Sequence, residues 1–150
     1  MVAKMKNERK DFWAGKNYAV VGVSEKKRKF GNAVFKELQK RGCKVFPVNQ
    51  RLNLFEDQMC YNSLSEISES LDGVVIITSP EGAKKAIREC INLGIKKVWL
   101  YPGSKCEEAI NLAKENEIQL IYKTCPLLYL EPVKFPHSLH RWIARIFGKL

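Results

Sequence analysis

The chain has 150 residues, 45% of them hydrophobic and 28% charged, a length and balance that fit one domain around one core. It contains no apolar run near the roughly 18 residues of a membrane span, and Met1 to Lys16 is charged where a secretory leader would be apolar, so no membrane association is expected. Five cysteines (Cys43, Cys60, Cys90, Cys106 and Cys125) make an odd count with no CxxC pair, which argues against a disulfide framework or zinc site and for a reducing cytoplasm.

The net charge is +10. Residues 1–29 hold nine Lys/Arg against three acids, and residues 133–150 hold four against none. The remaining thirteen basic and thirteen acidic residues cancel over 30–132. The excess is therefore local, at the two ends and in one early loop. That pattern suits attraction of an anion at the loop, and a plain solvated surface elsewhere.

In chain order, residues 5–14 read as a short helix that packs Phe12 and Trp13 on the body. Tyr18 to Val23 is an apolar run interrupted by Gly22, a buried first strand. Gly31 to Arg41 has Val34, Phe35 and Leu38 on one face and Gly42 as a stop, an amphipathic helix. Lys44 to Asn49 is the second strand, and Pro47 points to a strand end or a sheet edge. Arg51 to Asn62 reads as irregular, and Ser63 or Ser65 caps a short helix through Ile67. Gly73 to Ile77 is the clearest strand. Ser79-Pro80 then opens a helix that runs to about Asn92 before Gly94. Lys97 to Tyr101 is the fourth strand, Cys106 to Asn116 a helix, and Leu120 to Tyr122 the fifth strand. Residues 136–148 form a last amphipathic helix, with Leu139, Trp142, Ile143, Ile146 and Phe147 on one face. That face packs on the body, or offers a contact to a second copy, a protein partner or a membrane surface.

This repeated strand–helix alternation calls for an α/β fold of the Rossmann-like, doubly wound type. Its parallel five-stranded sheet is expected in the order 3-2-1-4-5. One domain spans 1–150, with 1–16 as an N-terminal segment and 133–150 as a C-terminal helical extension. The ligand crevice then lies at the carboxyl ends of the strands, beside the first.

The turn after the first strand carries the chemistry. It reads Gly22-Val23-Ser24-Glu25-Lys26-Lys27-Arg28-Lys29-Phe30-Gly31. Gly22 allows close backbone approach, Ser24 offers a hydroxyl, and the next helix aims its N-terminus at the same place. Four consecutive cations, Lys26, Lys27, Arg28 and Lys29, complete a phosphate-binding turn. The glycine spacing is not GxGxxG, and the second strand ends in Asn49 where NAD-binding folds have an acid. No Gly-Lys-Ser/Thr follows the glycines, so a Walker A site is absent.

Five stretches in order then point to a family. Ala19 to Ser24, Val45 to Asn49, Asp72 to Glu81, Val98 to Ser104 and Ile121 to Pro126 together span about residues 15–130. The chain resembles the small stand-alone CoA-binding domain proteins, related in fold to the nucleotide-binding domain of the succinyl-CoA synthetase alpha subunit. The resemblance implies a Rossmann-like fold that holds coenzyme A, free or acylated, along the carboxyl edge of the sheet. Gly22, Val23 and Ser24 would face the phosphates, Lys26 to Lys29 would neutralise them, and Phe30 would flank the turn. Asn49 would close the pocket, Ser79 and Pro80 would lie against the adenosine or pantetheine arm, and Gly103 and Ser104 would line the far side. The sequence departs from the family in having Gln50, not proline, after Asn49, and in its lysine-rich turn. CoA also fits the residues independently, because its diphosphate and 3′-phosphate suit a cationic turn.

No catalytic or metal constellation is evident. His137 and His140 read as surface or interface residues, and Cys125 as a buried structural thiol rather than one that meets a ligand thiol. The expected function is a CoA- or acyl-CoA-binding module, carrier or sensor without its own chemistry. The alternatives are an NAD(P)-linked oxidoreductase, an accessory subunit of an acyl-CoA ligase, or a basic nucleic-acid-binding protein. The neutral central region and the lack of a recognised motif speak against the last.

Overall fold

The computed structural model describes residues 2–26 and 29–126. The elements begin with α1 (Val2–Phe12), β1 (Asn17–Val21), α2 (Phe30–Lys40) and β2 (Lys44–Val48). A short hairpin, β3 (Leu54–Phe55) and β4 (Gln58–Met59), follows, and then a 3-10 turn at Leu64–Glu66. The chain continues through β5 (Gly73–Ile76), α3 (Pro80–Leu93), β6 (Lys97–Leu100), α4 (Glu107–Glu115) and β7 (Gln119–Ile121). Among the described residues no helix is long and apolar enough to cross a membrane.

The main sheet is parallel throughout, in the order β2-β1-β5-β6-β7. The Rossmann-like doubly wound architecture is as expected, but the strand order is not. Counting the five main strands, the order is 2-1-3-4-5 instead of 3-2-1-4-5. The third lies on the far side of the first, not outside the second. Two local features explain this. In β2 the odd positions turn their backbone groups outward, as the Asn49 amide bonded to Tyr61 O and the Pro47 carbonyl bonded to Tyr61 N demonstrate. Pro47 therefore lacks an N–H on the side where a neighbouring strand would need one, and β2 is left with a single bridge, Val48 to Tyr61. Conversely, Gly73-Val74-Val75-Ile76 is buried at all four positions, which requires a central strand covered on both faces.

The order also sorts the helices. A right-handed crossover from β1 to β2 puts α2 on one face, and crossovers running the other way from β5 put α3 and α4 on the opposite face. Two cores result. Tyr18, Val20, Val75 and Trp99 meet Phe12, Val34, Phe35 and Leu38 on the first face. Ala19, Phe46, Val74, Ile76, Val98 and Leu100 meet Ala83, Ala86, Ile87, Ala109 and Ala113 on the second. The alternation of Tyr18, Ala19 and Val20 between the two is the period of a strand.

Helix ends follow their local chemistry. Gly42 (φ 82°) closes α2, with the Cys43 amide donating to Leu38 O and the Gly42 amide to Gln39 O. The Ser79 hydroxyl accepts from the Gly82 amide at 3.2 Å, Pro80 takes the first helical position of α3, and Gly94 (φ 72°) ends it. The N-terminal helix begins at Val2, and Phe12 is buried against the rings of Trp13, Tyr18 and Trp99. The segment expected to be irregular contains the β3–β4 hairpin, turned by Glu56 and Asp57 at positive φ. The helix expected over 136–148, with His137 and His140, lies outside the described residues.

Candidate functional site

The site grows from one glycine at the end of β1. Gly22 has φ 118°, a conformation that L side chains rarely adopt, and a Cβ there would overlap the Ile77 carbonyl oxygen. Its amide donates to Val48 O at 3.0 Å, so the turn leaves the sheet from between β2 and β5. Gly31 at the start of α2 is equally constrained: a Cβ would stand 2.5 Å from Gly22 O. The two glycines let the helix start directly on the strand end, the close packing that places a helix N-terminus over a crevice.

Two asparagines then fix the turn's path. Asn32, 3% exposed, accepts from the Ser24 amide through Oδ1 at 2.8 Å. Its Nδ2 donates to Ser24 O at 2.7 Å and to Lys26 O at 3.2 Å. Asn49 donates from Nδ2 to Val23 O at 2.6 Å, and its Oδ1 accepts from the Arg51 amide at 2.7 Å. The opposite wall has its own hub, Asn62, whose Nδ2 donates to the carbonyls of Asn49, Gln50 and Leu52.

Between these walls lies a cleft of about 520 Å³. Its floor is Val21, Gly22, Val48 and Thr78, at the carboxyl ends of β1, β2 and β5. Asn49, Gln50, Arg51 and Asn62 form one side, and Ser79, Gly82, Lys85, Ala86 and Glu89 of α3 the other. Its lining holds three cations, Lys29, Arg51 and Lys85, and one carboxylate, Glu89, whose Oε2 accepts from the Leu64 amide at 3.2 Å. The chain reverses direction across the sheet here, with β2 on one side of β1 and β5 on the other, the switch point where open α/β sheets bind ligands.

The residues expected from sequence divide into groups. Gly22, Lys29, Asn49 and Ser79 line the cleft together. Ser24 is half-buried, its Oγ accepting from the Lys26 amide at 3.2 Å, and Lys26 is exposed; neither lines the cleft. The Val23 side chain is in the core. Phe30 is buried and stacks on Tyr101 with ring centroids 4.7 Å apart, and burial raises the Tyr101 pKa. Pro80 and Gly103 are exposed and do not line the cleft. Ser104 is fully buried: its hydroxyl accepts from the Thr78 amide at 2.7 Å and donates to Thr78 O at 2.5 Å. It therefore buttresses the end of β5 from behind. Lys27 and Arg28 lie outside the described residues. Cys125 is buried in the core of the first face.

Sequence reasoning missed Asn32, Arg51, Asn62, Gly82, Lys85 and Glu89. Gly82 and Lys85 had a usable signal, since positions three and six after the Ser79 cap share the face that looks back at the strand ends. The asparagines had none, because their partners are backbone atoms of loops.

Known proteins resemble this chain in sequence and in fold. An ADP-forming acetate–CoA ligase of Methanocaldococcus jannaschii is 26% identical over 117 residues, 78% of this chain and 16% of the ligase. The alpha subunit of ADP-forming acetate–CoA ligase II of Pyrococcus furiosus is 34% identical over 88 residues, 58% of this chain and 19% of the subunit. The chain thus spans less than a fifth of the length of these relatives. Among solved structures, a conserved hypothetical protein from Pyrococcus furiosus is 28% identical. It superposes with a TM-score of 0.72, covering 76% of this chain and 98% of its own. The family model described as CoA binding domain matches residues 16–131, which takes in every strand of the sheet and the whole cleft, and the chain accordingly belongs to the CoA binding domain family.

Proposed function

We propose that the chain binds coenzyme A or an acyl-CoA in the cleft at the β1–α2 turn, as a binding module, carrier or sensor that performs no chemistry of its own. The observation that carries this is the cleft at the switch point, with Lys29, Arg51 and Lys85 standing around it. Gly22 lets the ends of β1 and β5 close together beneath that cleft, because Ile77 O already stands where a Cβ would be. A diphosphate needs backbone approach without side-chain obstruction, and cations to balance it. The turn supplies both, with Lys26 to Lys29 adding charge and the Ser24 hydroxyl a donor. Ser79 and Gly82 give the small, polar opening of α3 past which the rest of the ligand would run.

NAD fits less well. Asn49 stands where a ribose-binding acid would, and its amide is engaged within the protein on both sides, with Val23 O and the Arg51 amide. A second reading draws on the likeness to ligase chains: the module serves as an accessory subunit of an acyl-CoA ligase. Under that reading the catalytic groups come from a partner.

Thermal unfolding with CoA, dephospho-CoA, acetyl-CoA, NAD and NADPH tests the proposal. A ligand at about 100 times its dissociation constant adds about 2.7 kcal/mol, a shift of several degrees for a domain of this size. CoA and acetyl-CoA should raise Tm, dephospho-CoA less so. A shift with NAD or NADPH and none with CoA would reassign the protein as a dinucleotide binder.

A further inference from the structure

We infer that Asn32 is the positioning residue of the phosphate turn, setting the backbone that receives the anion without touching the ligand itself. The inference rests on the CoA reading above and deepens it. A loop that receives an anion must present N–H groups and turn its carbonyl oxygens elsewhere, since each carbonyl carries partial negative charge. This loop must do so while carrying Lys26 and Lys29, whose charges repel one another.

The Asn32 amide accomplishes both at once. It is 3% exposed, on the first turn of α2, so its own position is set by the helix and by Gly31 packed against Gly22 O. Its Nδ2 takes the carbonyls of Ser24 and Lys26, and Asn49 takes that of Val23. Three of the four loop carbonyls from Val23 to Lys26 are thereby occupied. Through Oδ1 it also pins the Ser24 amide. Among the described residues, the Val23 and Glu25 amides keep no acceptor, and they flank the pinned Ser24 on either side. A buried amide with three bonds to one loop acts as an internal template, and a preorganised loop binds without the cost of ordering itself.

The test measures CoA affinity, its salt dependence and amide hydrogen exchange in wild type, Asn32→Ala and Asn32→Asp. The aspartate is the second variant because it keeps the side-chain shape and the acceptor for Ser24 N–H while losing both donations. Both variants should bind CoA at least about tenfold more weakly, the cost expected of unmade hydrogen bonds at such a site. Asn32→Ala should keep the wild-type slope of affinity against salt, because the cations remain, whereas Asn32→Asp adds a carboxylate beside them and should flatten it. The Ser24 amide should exchange slowly in wild type and fast in Asn32→Ala. Neutralising Lys29 should do the opposite, flattening the salt slope while leaving Ser24 protected. Wild-type affinity in a folded Asn32 variant overturns the inference and leaves the CoA reading standing. Absence of CoA binding by the wild type overturns both.

Discussion

The carbonyl oxygen of Ile77 occupies the space where residue 22 would carry a Cβ, so the end of β5 touches the backbone of Gly22 directly. This contact brings two neighbouring strands together at their carboxyl ends and leaves the cleft floor smooth. A side chain at position 22 would have to enter the backbone of β5 and would also sit at φ 118°. Gly22→Ala should therefore destabilise the fold by about 2–5 kcal/mol, combining overpacking with a strained backbone. Urea unfolding at neutral pH measures this. A loss under about 1 kcal/mol would mean that the two strand ends separate easily.

Ser104 and Thr78 give a contrasting case, because the resemblance assigned Ser104 to the ligand and the structure encloses it. Its hydroxyl satisfies both the N–H and the C=O of Thr78 within the core. Ser104→Ala leaves two backbone groups unpaired, which should cost about 1–3 kcal/mol in urea unfolding. CoA affinity, measured by titration calorimetry well below Tm, should stay within about threefold of wild type, since 1.4 kcal/mol is about tenfold. A large affinity loss without a stability loss would instead put the hydroxyl on the ligand.

Asp72 makes the pH dependence specific. Its Oδ2 accepts from the amides of Asn17 and Lys16 at 2.9 and 2.8 Å, and these bonds hold the carboxyl below its ordinary value of 3.8. A carboxyl lowered in the folded state adds stability that is complete above the unfolded value and disappears as pH falls through the folded one. The stability difference between wild type and Asp72→Asn should accordingly stay constant from pH 7 to about pH 5 and shrink below 3.8. Urea titrations at a series of pH values would read it, and a difference that grows on acidification would contradict the assignment.

Much of this was legible in the sequence, and the limits have physical causes. Ser79-Pro80 and Gly94 marked α3 to within two residues, because caps act through atoms a few residues away. The β1–α2 turn was legible for the same reason. Strand order is a long-range property, and the expected order was wrong although Pro47 already pointed to the edge and Gly73 to Ile76 to the centre. The β3–β4 hairpin escaped notice because each strand has two residues and its cross-strand pair, Leu54 and Met59, is 70% and 63% exposed. Phe55 is its one buried apolar residue, too little to produce a periodic pattern. Asn32 and Ser104 show the same limit within the site. Whether an asparagine or a serine faces ligand or backbone depends on which loop carbonyls lie opposite, and those come from elements up to 26 residues away.

Where CoA sits is answered most directly by an amide-resolved NMR titration of the ¹⁵N-labelled protein with CoA. Saturable shifts should concentrate at Val23, Ser24 and Glu25, with Asn49, Arg51, Ser79 and Gly82 following along the cleft. Residues at the opposite end of the sheet, such as Lys16, Cys43 and Lys97, should stay still. No saturable shift, or shifts concentrated at that opposite end, would contradict the claim that the β1–α2 turn is the phosphate site.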